Sequence, residues 1–122
     1  MLVMATGPSN ATRRIVYRRS HNRCEMCTVQ VSSGHIHHRK PRRMGGRKKN
    51  KYINEPENLL LLCEKCHMTV ESNRKTAVDN GFLLRESDDP AVSPVFVGSR
   101  RWVLLSGESY LPAPAGSYSE VV

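Results

Sequence analysis

The sequence predicts a small α+β domain braced by a four-cysteine metal knot, and three observations point to it. A chain of 122 residues suffices for one domain with tails. Its four cysteines fall into two Cys-x-x-Cys pairs, Cys24/Cys27 and Cys63/Cys66. Short strand-like runs are interspersed with two helix-like stretches, with no internal repeat beyond the two pairs. Only 39% of residues are hydrophobic and 6% aromatic, so a bound metal would supplement a modest core.

Residues 1–9 read as a flexible leader. Asn10 is placed to cap a short helix, ATRRIVYRR, which carries Arg13, Arg14, Arg18 and Arg19 and stops near Ser20–Asn22. Arg23 and the first knuckle, Cys24-Glu25-Met26-Cys27, come next. Val29 and Val31, then Ile36 beyond Ser33-Gly34, predict two short strands around a turn. From Arg39 to Lys51 eight of thirteen residues are basic, and Pro41 with Gly45-Gly46 interrupts regular structure, so this segment is a loop. Residues 54–57 are turn-like, and Leu59–Leu62 lead into the second knuckle.

The run EKCHMTVESNRKTAVDN predicts a helix, closed by Asn80-Gly81 as a left-handed cap. Pro94–Val97 and Arg101–Leu105 flank Gly98-Ser99-Arg100 as a hairpin. The Pro/Ala/Gly/Ser-rich stretch 111–122 is expected to be disordered. The plan is thus a leader (1–9), a metal-stabilised domain (10–81), a hairpin extension (82–110) and a tail (111–122).

Two thiolates two residues apart can grip one tetrahedral ion, and a second pair from a distant segment closes the site, as structural zinc requires. Thirty-five residues separate Cys27 from Cys63, so a supersecondary unit must be looped between them. The competing reading is two disulfides or independent buried thiols. MLVMATGPSN lacks the basic n-region and the long apolar run of a secretory leader. No stretch approaches the ~18 apolar residues of a membrane span. The expected setting is therefore cytoplasmic and reducing, where Cys24, Cys27, Cys63 and Cys66 are assigned to structural zinc.

The formal charge of +8 is unevenly spread. Residues 1–51 hold thirteen Lys/Arg against one acidic residue, Glu25, whereas residues 52–122 hold six against ten. Such segregation favours one face turned toward a polyanion over charge that merely solubilises.

Between the knuckles lie His35-Ile36-His37-His38-Arg39-Lys40-Pro41, then Gly45-Gly46, then Glu57-Asn58-Leu59, with Leu62-Cys63-x-x-Cys66-His67 closing the set. Together these pieces resemble the HNH endonucleases of the His-Me finger, or ββα-metal, superfamily, over about residues 20–75. The resemblance implies a ββα-metal fold and metal-dependent hydrolysis of DNA phosphodiester bonds, by nicking or double-strand cleavage, leaving 3′-hydroxyl and 5′-phosphate ends. It implies that His38 is the general base, that His37 and His67 ligate one divalent ion, and that Asn58 braces the loop carrying the base.

Chemistry explains these residue types. In-line attack by water needs a base and a cation to offset developing negative charge. Imidazole, with a pKa of ~6.5, is largely neutral at pH 7 and suits the base. Adjacent strand residues point to opposite sides, so His37 and His38 can serve one site only where the strand ends or twists. Glu71 lies one helical turn after His67, where relatives often carry histidine. As a hard oxygen ligand it would favour magnesium or manganese, while nickel and zinc also suit the imidazoles. This ion would be distinct from the thiolate-held zinc. His35 is expected to face elsewhere, and His21 reads as a turn residue.

Arg39, Lys40, Arg42, Arg43, Arg47, Lys48, Lys49 and Lys51 are expected to clamp DNA phosphates, with Arg13, Arg14, Arg18, Arg19 and Arg23 extending the track. From Gly81 onward, Gly81-Phe82-Leu83, Asp89-Pro90-Ala91-Val92 and the run at 100–105 resemble the C-terminal extension of phage-encoded HNH proteins of actinobacterial hosts. That likeness implies phage DNA processing in the host cytoplasm beside a packaging terminase. Two rivals stand beside the nuclease: a non-catalytic zinc-binding DNA adaptor and an RNA-binding zinc module. Few aromatic residues lie near the basic loop, which disfavours base stacking on RNA.

Overall fold

A computed structural model describes residues 7–41 and 53–118. Helix α1 spans Asn10–Ser20. Its cap is Ser9, one residue before the expected Asn10: the Ser9 hydroxyl accepts the Thr12 backbone N–H at 3.1 Å. His21, in the left-handed conformation at φ 57°, ends the helix, and its N–H reaches Arg18 O.

Strand β1 (His35–His38) pairs antiparallel with β2 (Leu59–Leu62), with His35 opposite Leu62 and His38 opposite Leu59. This replaces the expected local strand pair. Between Val29 and Val31, Gln30 makes only an isolated bridge to Arg23, and Val29 is 49% exposed. The true partner of β1 is the leucine run beyond the basic loop. All four leucines are buried because both faces of the two-stranded sheet are covered. Leu59 and Leu61 pack with Val16 of α1, beside Tyr17, Val31 and Ile36. Leu60 and Leu62 join the larger core. A strand buried on both faces loses its polar alternation, which is why this run does not announce itself as a strand.

The expected single helix after Cys63 is two: α2 (Glu64–Ser72) and α3 (Arg74–Asp79). They are separated at Asn73, whose φ −128° and ψ 63° lie outside the helical region. Gly81 then turns the chain at φ 82°.

Three strands follow in one antiparallel sheet, β3 (Val95–Val97), β4 (Arg101–Ser106) and β5 (Ser109–Pro112). The hairpin at 98–100 forms as expected, with Gly98 and Ser99 both at positive φ. The stretch assigned to a disordered tail is corrected in part. Leu111 and Pro112 complete β5, Ala113 N–H bonds Trp102 O at 3.3 Å, and the Tyr118 ring stacks on Trp102.

One hydrophobic cluster crosses the expected 81/82 boundary, drawing together Cys24, Leu60, Leu62, Cys66, Val70, Ala77, Phe82, Leu83, Val95, Val103 and Leu105. Both sheets are open. Among the described residues, no helix is long and apolar enough to cross a membrane.

Glu25, the lone acid of the basic half, welds the parts together. Arg19 donates to both its carboxylate oxygens at 2.9 and 3.0 Å, Leu61 N–H donates at 2.7 Å, and Tyr110 O–H donates at 2.6 Å. Arg19 also donates to the carbonyls of Pro56 and Leu59. The pair is almost completely buried, so removing one partner would strand the other charge at a cost of about 3–5 kcal/mol. Arg19 is therefore no part of a phosphate track.

Candidate metal and catalytic site

The two knuckles bring four cysteine sulfurs within 4.8 Å of one another. None is in a disulfide. Cys27 Sγ and Cys63 Sγ are 3.8 Å apart, matching the edge of a tetrahedron with ~2.3 Å zinc–sulfur bonds, which is about 3.8 Å. Backbone N–H groups of Cys27 and Cys66 point at Cys24 Sγ and Cys63 Sγ, each at 3.5 Å. Cys63 is also the cap of α2, where partial positive charge favours a thiolate.

Burial opposes its ionisation, but hydrogen bonds from Cys66 and the other cysteines outweigh that and leave its pKa below the ordinary value. Burial pushes Cys66 and Cys27 up instead. Four neighbouring sulfurs ionise together only around a cation. The donor set fits zinc.

A second cluster lies on the other side of Cys66. His37, His67 and Glu71 each offer a ligand atom, and these atoms lie within 4.8 Å of one another. Two atoms bound at ~2.1 Å on opposite sides of an ion are about 4.2 Å apart, so small side-chain rotations close the set. β1 supplies His37; α2 supplies His67 and, one turn on, Glu71. Two imidazoles and a carboxylate fit a divalent ion and leave positions for water and phosphate oxygens.

His37 is 5% exposed, and its Nε2 lies 2.8 Å from Phe82 O. A carbonyl only accepts, so Nε2 carries the proton and Nδ1 holds the lone pair. Burial, the largest influence, pushes its pKa down to about 4, which keeps the ring neutral at pH 7. Glu71 is exposed, and its carboxylate accepts from the Arg74 guanidinium at 3.0 Å.

His38 stands apart from this ligand set. Facing Leu59 across the strand pair, it lies on the opposite face of β1 from His37, at the strand's end. It remains within electrostatic reach of His37. Its Nε2 is 2.8 Å from Asn54 Oδ1.

Asn58 is wholly buried. Its Oδ1 accepts Lys40 N–H at 2.8 Å, and its Nδ2 donates to Lys40 O at 3.2 Å and Ile53 O at 2.9 Å. One side chain thus ties together the two ends of the loop that follows His38.

Arg39 is a correction. Expected on DNA, it is 0% exposed. Its guanidinium donates to the carbonyls of Gly81, Glu57, Pro90, Ser93 and Pro94 at 2.8–3.3 Å. Burial pushes its pKa down to about 9, and it still carries its charge at pH 7. Lys40 is at the surface, its Nζ donating to Glu86 O. Arg42, Arg43, Arg47, Lys48, Lys49 and Lys51 lie outside the described residues. Arg13, Arg14, Arg18 and Arg23 are exposed, Arg18 in a surface pair with Glu108.

His35 is the other correction. Its ring stacks on His67 with centroids 4.6 Å apart and an interplanar angle of 15°, rather than facing elsewhere. Residues two apart on a strand share a face, so its alignment with His37 was present in the spacing. Asn54 carried no comparable signal, since a turn asparagine four residues before another is commonplace. His21 is the turn residue expected.

Residues 24–73 match the family model for HNH endonuclease. The matched stretch runs from the first knuckle through β1, β2 and α2 to the break at Asn73, and so contains both clusters. No curated protein and no solved structure matches the chain.

Proposed function

We propose, from the HNH endonuclease domain at residues 24–73, that this chain is a metal-dependent endonuclease hydrolysing DNA phosphodiester bonds. The observation that carries the reading is the gathering of His37, His67 and Glu71 beside the strand end that bears His38, separate from the thiolate cluster. A family domain alone suggests a nuclease; the donor geometry gives it a place to work.

His37 and His67 would hold the divalent ion, with Glu71 as third donor. Such an ion, when bound, offsets charge on the phosphoryl and leaving oxygens. His38 takes the proton of the attacking water. Asn58 holds Lys40 and Ile53, so the loop carrying the base keeps its place. Lys40, Arg13 and Arg14 contact phosphate, joined by Arg42, Arg43, Arg47, Lys48, Lys49 and Lys51, and give affinity with little sequence choice. Cys24, Cys27, Cys63 and Cys66 hold a structural zinc that locks the first knuckle to the start of α2. A phage-processing role and a terminase partner rest on the C-terminal resemblance alone, and neither the fold nor the site adds to it.

A plasmid cleavage assay across magnesium, manganese, nickel and zinc tests the reading. His38→Ala should lower cleavage by at least about a hundredfold while zinc content and DNA affinity stay unchanged. Equal cleavage by the variant contradicts the catalytic assignment. DNA binding with no cleavage in any metal would leave the adaptor instead.

A further inference from the structure

We propose that Arg74 is a further catalytic residue of this site, its guanidinium donating to the non-bridging oxygens of the scissile phosphate. The inference rests on the reading of His37, His67 and Glu71 as donors to the divalent ion. Arg74 Nη1 donates to Glu71 Oε1 at 3.0 Å, and both side chains are exposed. Glu71 in turn offers a ligand atom within 4.8 Å of those of His37 and His67. Among the described residues, no other arginine or lysine is ion-paired with this cluster, and Glu71 is the only hydrogen-bond partner of the Arg74 side chain. Arg74 lies one residue past the stretch that matches the family model.

The chain breaks at Asn73, so Arg74 opens α3 instead of continuing α2. Helix stability does not explain an arginine there. A cation at a helix start opposes the helix dipole, and an exposed ion pair contributes little. The neighbouring Lys75 pairs within α3, with Asp79 at 3.3 Å.

Charge gives the Arg74–Glu71 pair a use. A ligating imidazole is neutral, so two imidazoles and one carboxylate leave a divalent ion with one positive charge in excess. A phosphodiester carries one negative charge and gains a second as deprotonated water attacks phosphorus. Arg74 supplies the matching second positive charge. Its fork fits two phosphate oxygens as it fits a carboxylate. Once Glu71 ligates a cation it attracts the guanidinium less, which frees donors for the phosphate. The step is that of the proposed function. The water oxygen bonds phosphorus, its proton passes to His38, and the bond to the leaving oxygen breaks with its electron pair. Arg74 forms no covalent bond and keeps its protons throughout.

Two measurements on the full zinc-loaded chain with manganese test this. Paramagnetic 31P relaxation reports inorganic phosphate bound beside the ion, and bis(p-nitrophenyl) phosphate reports hydrolysis of a diester with no flanking phosphates. Arg74→Ala should weaken phosphate binding by about tenfold and lower kcat for the small diester by at least about tenfold. Manganese affinity should stay within about twofold, with zinc content intact. Lys75→Ala, which removes the adjacent exposed cation, should change neither measurement.

Unchanged phosphate binding and kcat in Arg74→Ala overturn the proposal. So does a matching loss of manganese affinity, which would make Arg74 a support for Glu71 alone, or an equal loss in Lys75→Ala. If the unaltered protein hydrolyses neither plasmid nor small diester in any metal, the nuclease reading fails. Phosphate held equally with and without Arg74 would then overturn this proposal as well.

Discussion

His37 and His38 are adjacent in sequence but sit in different surroundings, and the pleat of β1 is the cause. His37 turns toward α2, where burial keeps it neutral and the Phe82 carbonyl accepts from its Nε2, within reach of His67 and Glu71. His38 turns to the other face and meets Asn54. The neighbouring Arg39 shows how misleading a charge run can be. Eight basic residues in thirteen read as a phosphate clamp, yet Arg39 is a buried strut donating to five carbonyls, those of Glu57, Gly81, Pro90, Ser93 and Pro94.

Arg39→Ala strands those carbonyls. It should cost about 3 kcal/mol or more in denaturant unfolding, with the DNA affinity of the folded fraction unchanged. Weakened DNA binding without loss of stability would return Arg39 to the clamp. The sequence offered one clue to such burial, at Glu25 rather than at Arg39. A single acid among thirteen basic residues, inside a knuckle, is a natural partner for a buried guanidinium, and Arg19 is that partner.

Among the elements, what is local in sequence was legible and what is distant was not. Cys-x-x-Cys spacing, the cap at Asn80-Gly81 and the turn at 98–100 are each decided within a few residues. The partner of β1 is not: it lies beyond the basic loop, in a leucine run without alternation. Likewise β5 sits partly in a Pro/Ala-rich stretch whose composition suggests disorder, and it is held by pairing with β4 and by Tyr118 on Trp102.

Gly81 is where an element boundary meets the core. At φ 82°, a Cβ there would lie 2.1 Å from Pro94 O, and Gly81 O is itself an acceptor for Arg39. Gly81→Ala should therefore lower stability by at least about 2 kcal/mol. An unchanged unfolding midpoint would mean that α3 and β3 are not packed as described.

For the whole molecule, the larger hydrophobic cluster and the Glu25 network bind the C-terminal sheet to the knuckles, so 82–110 is joined to the same core as the site. α2 links the two clusters of candidate metal donors: Cys63 caps it, Cys66 belongs to the sulfur cluster, and His67 belongs with His37 and Glu71. The candidate site was legible as a set of residue types at family spacing. The third donor's reach, the stacking of His35 and the contact of Asn54 needed three dimensions.

The proposed function needs two chemically different cation sites side by side on this helix. Metal analysis with calorimetric titration of the full chain and of His67→Ala tests it most directly. The expected result is one zinc resistant to mild chelation and one weaker divalent ion in the unaltered protein, with only the weaker ion lost in the variant. Retention of both ions by His67→Ala, or loss of the zinc, would contradict it.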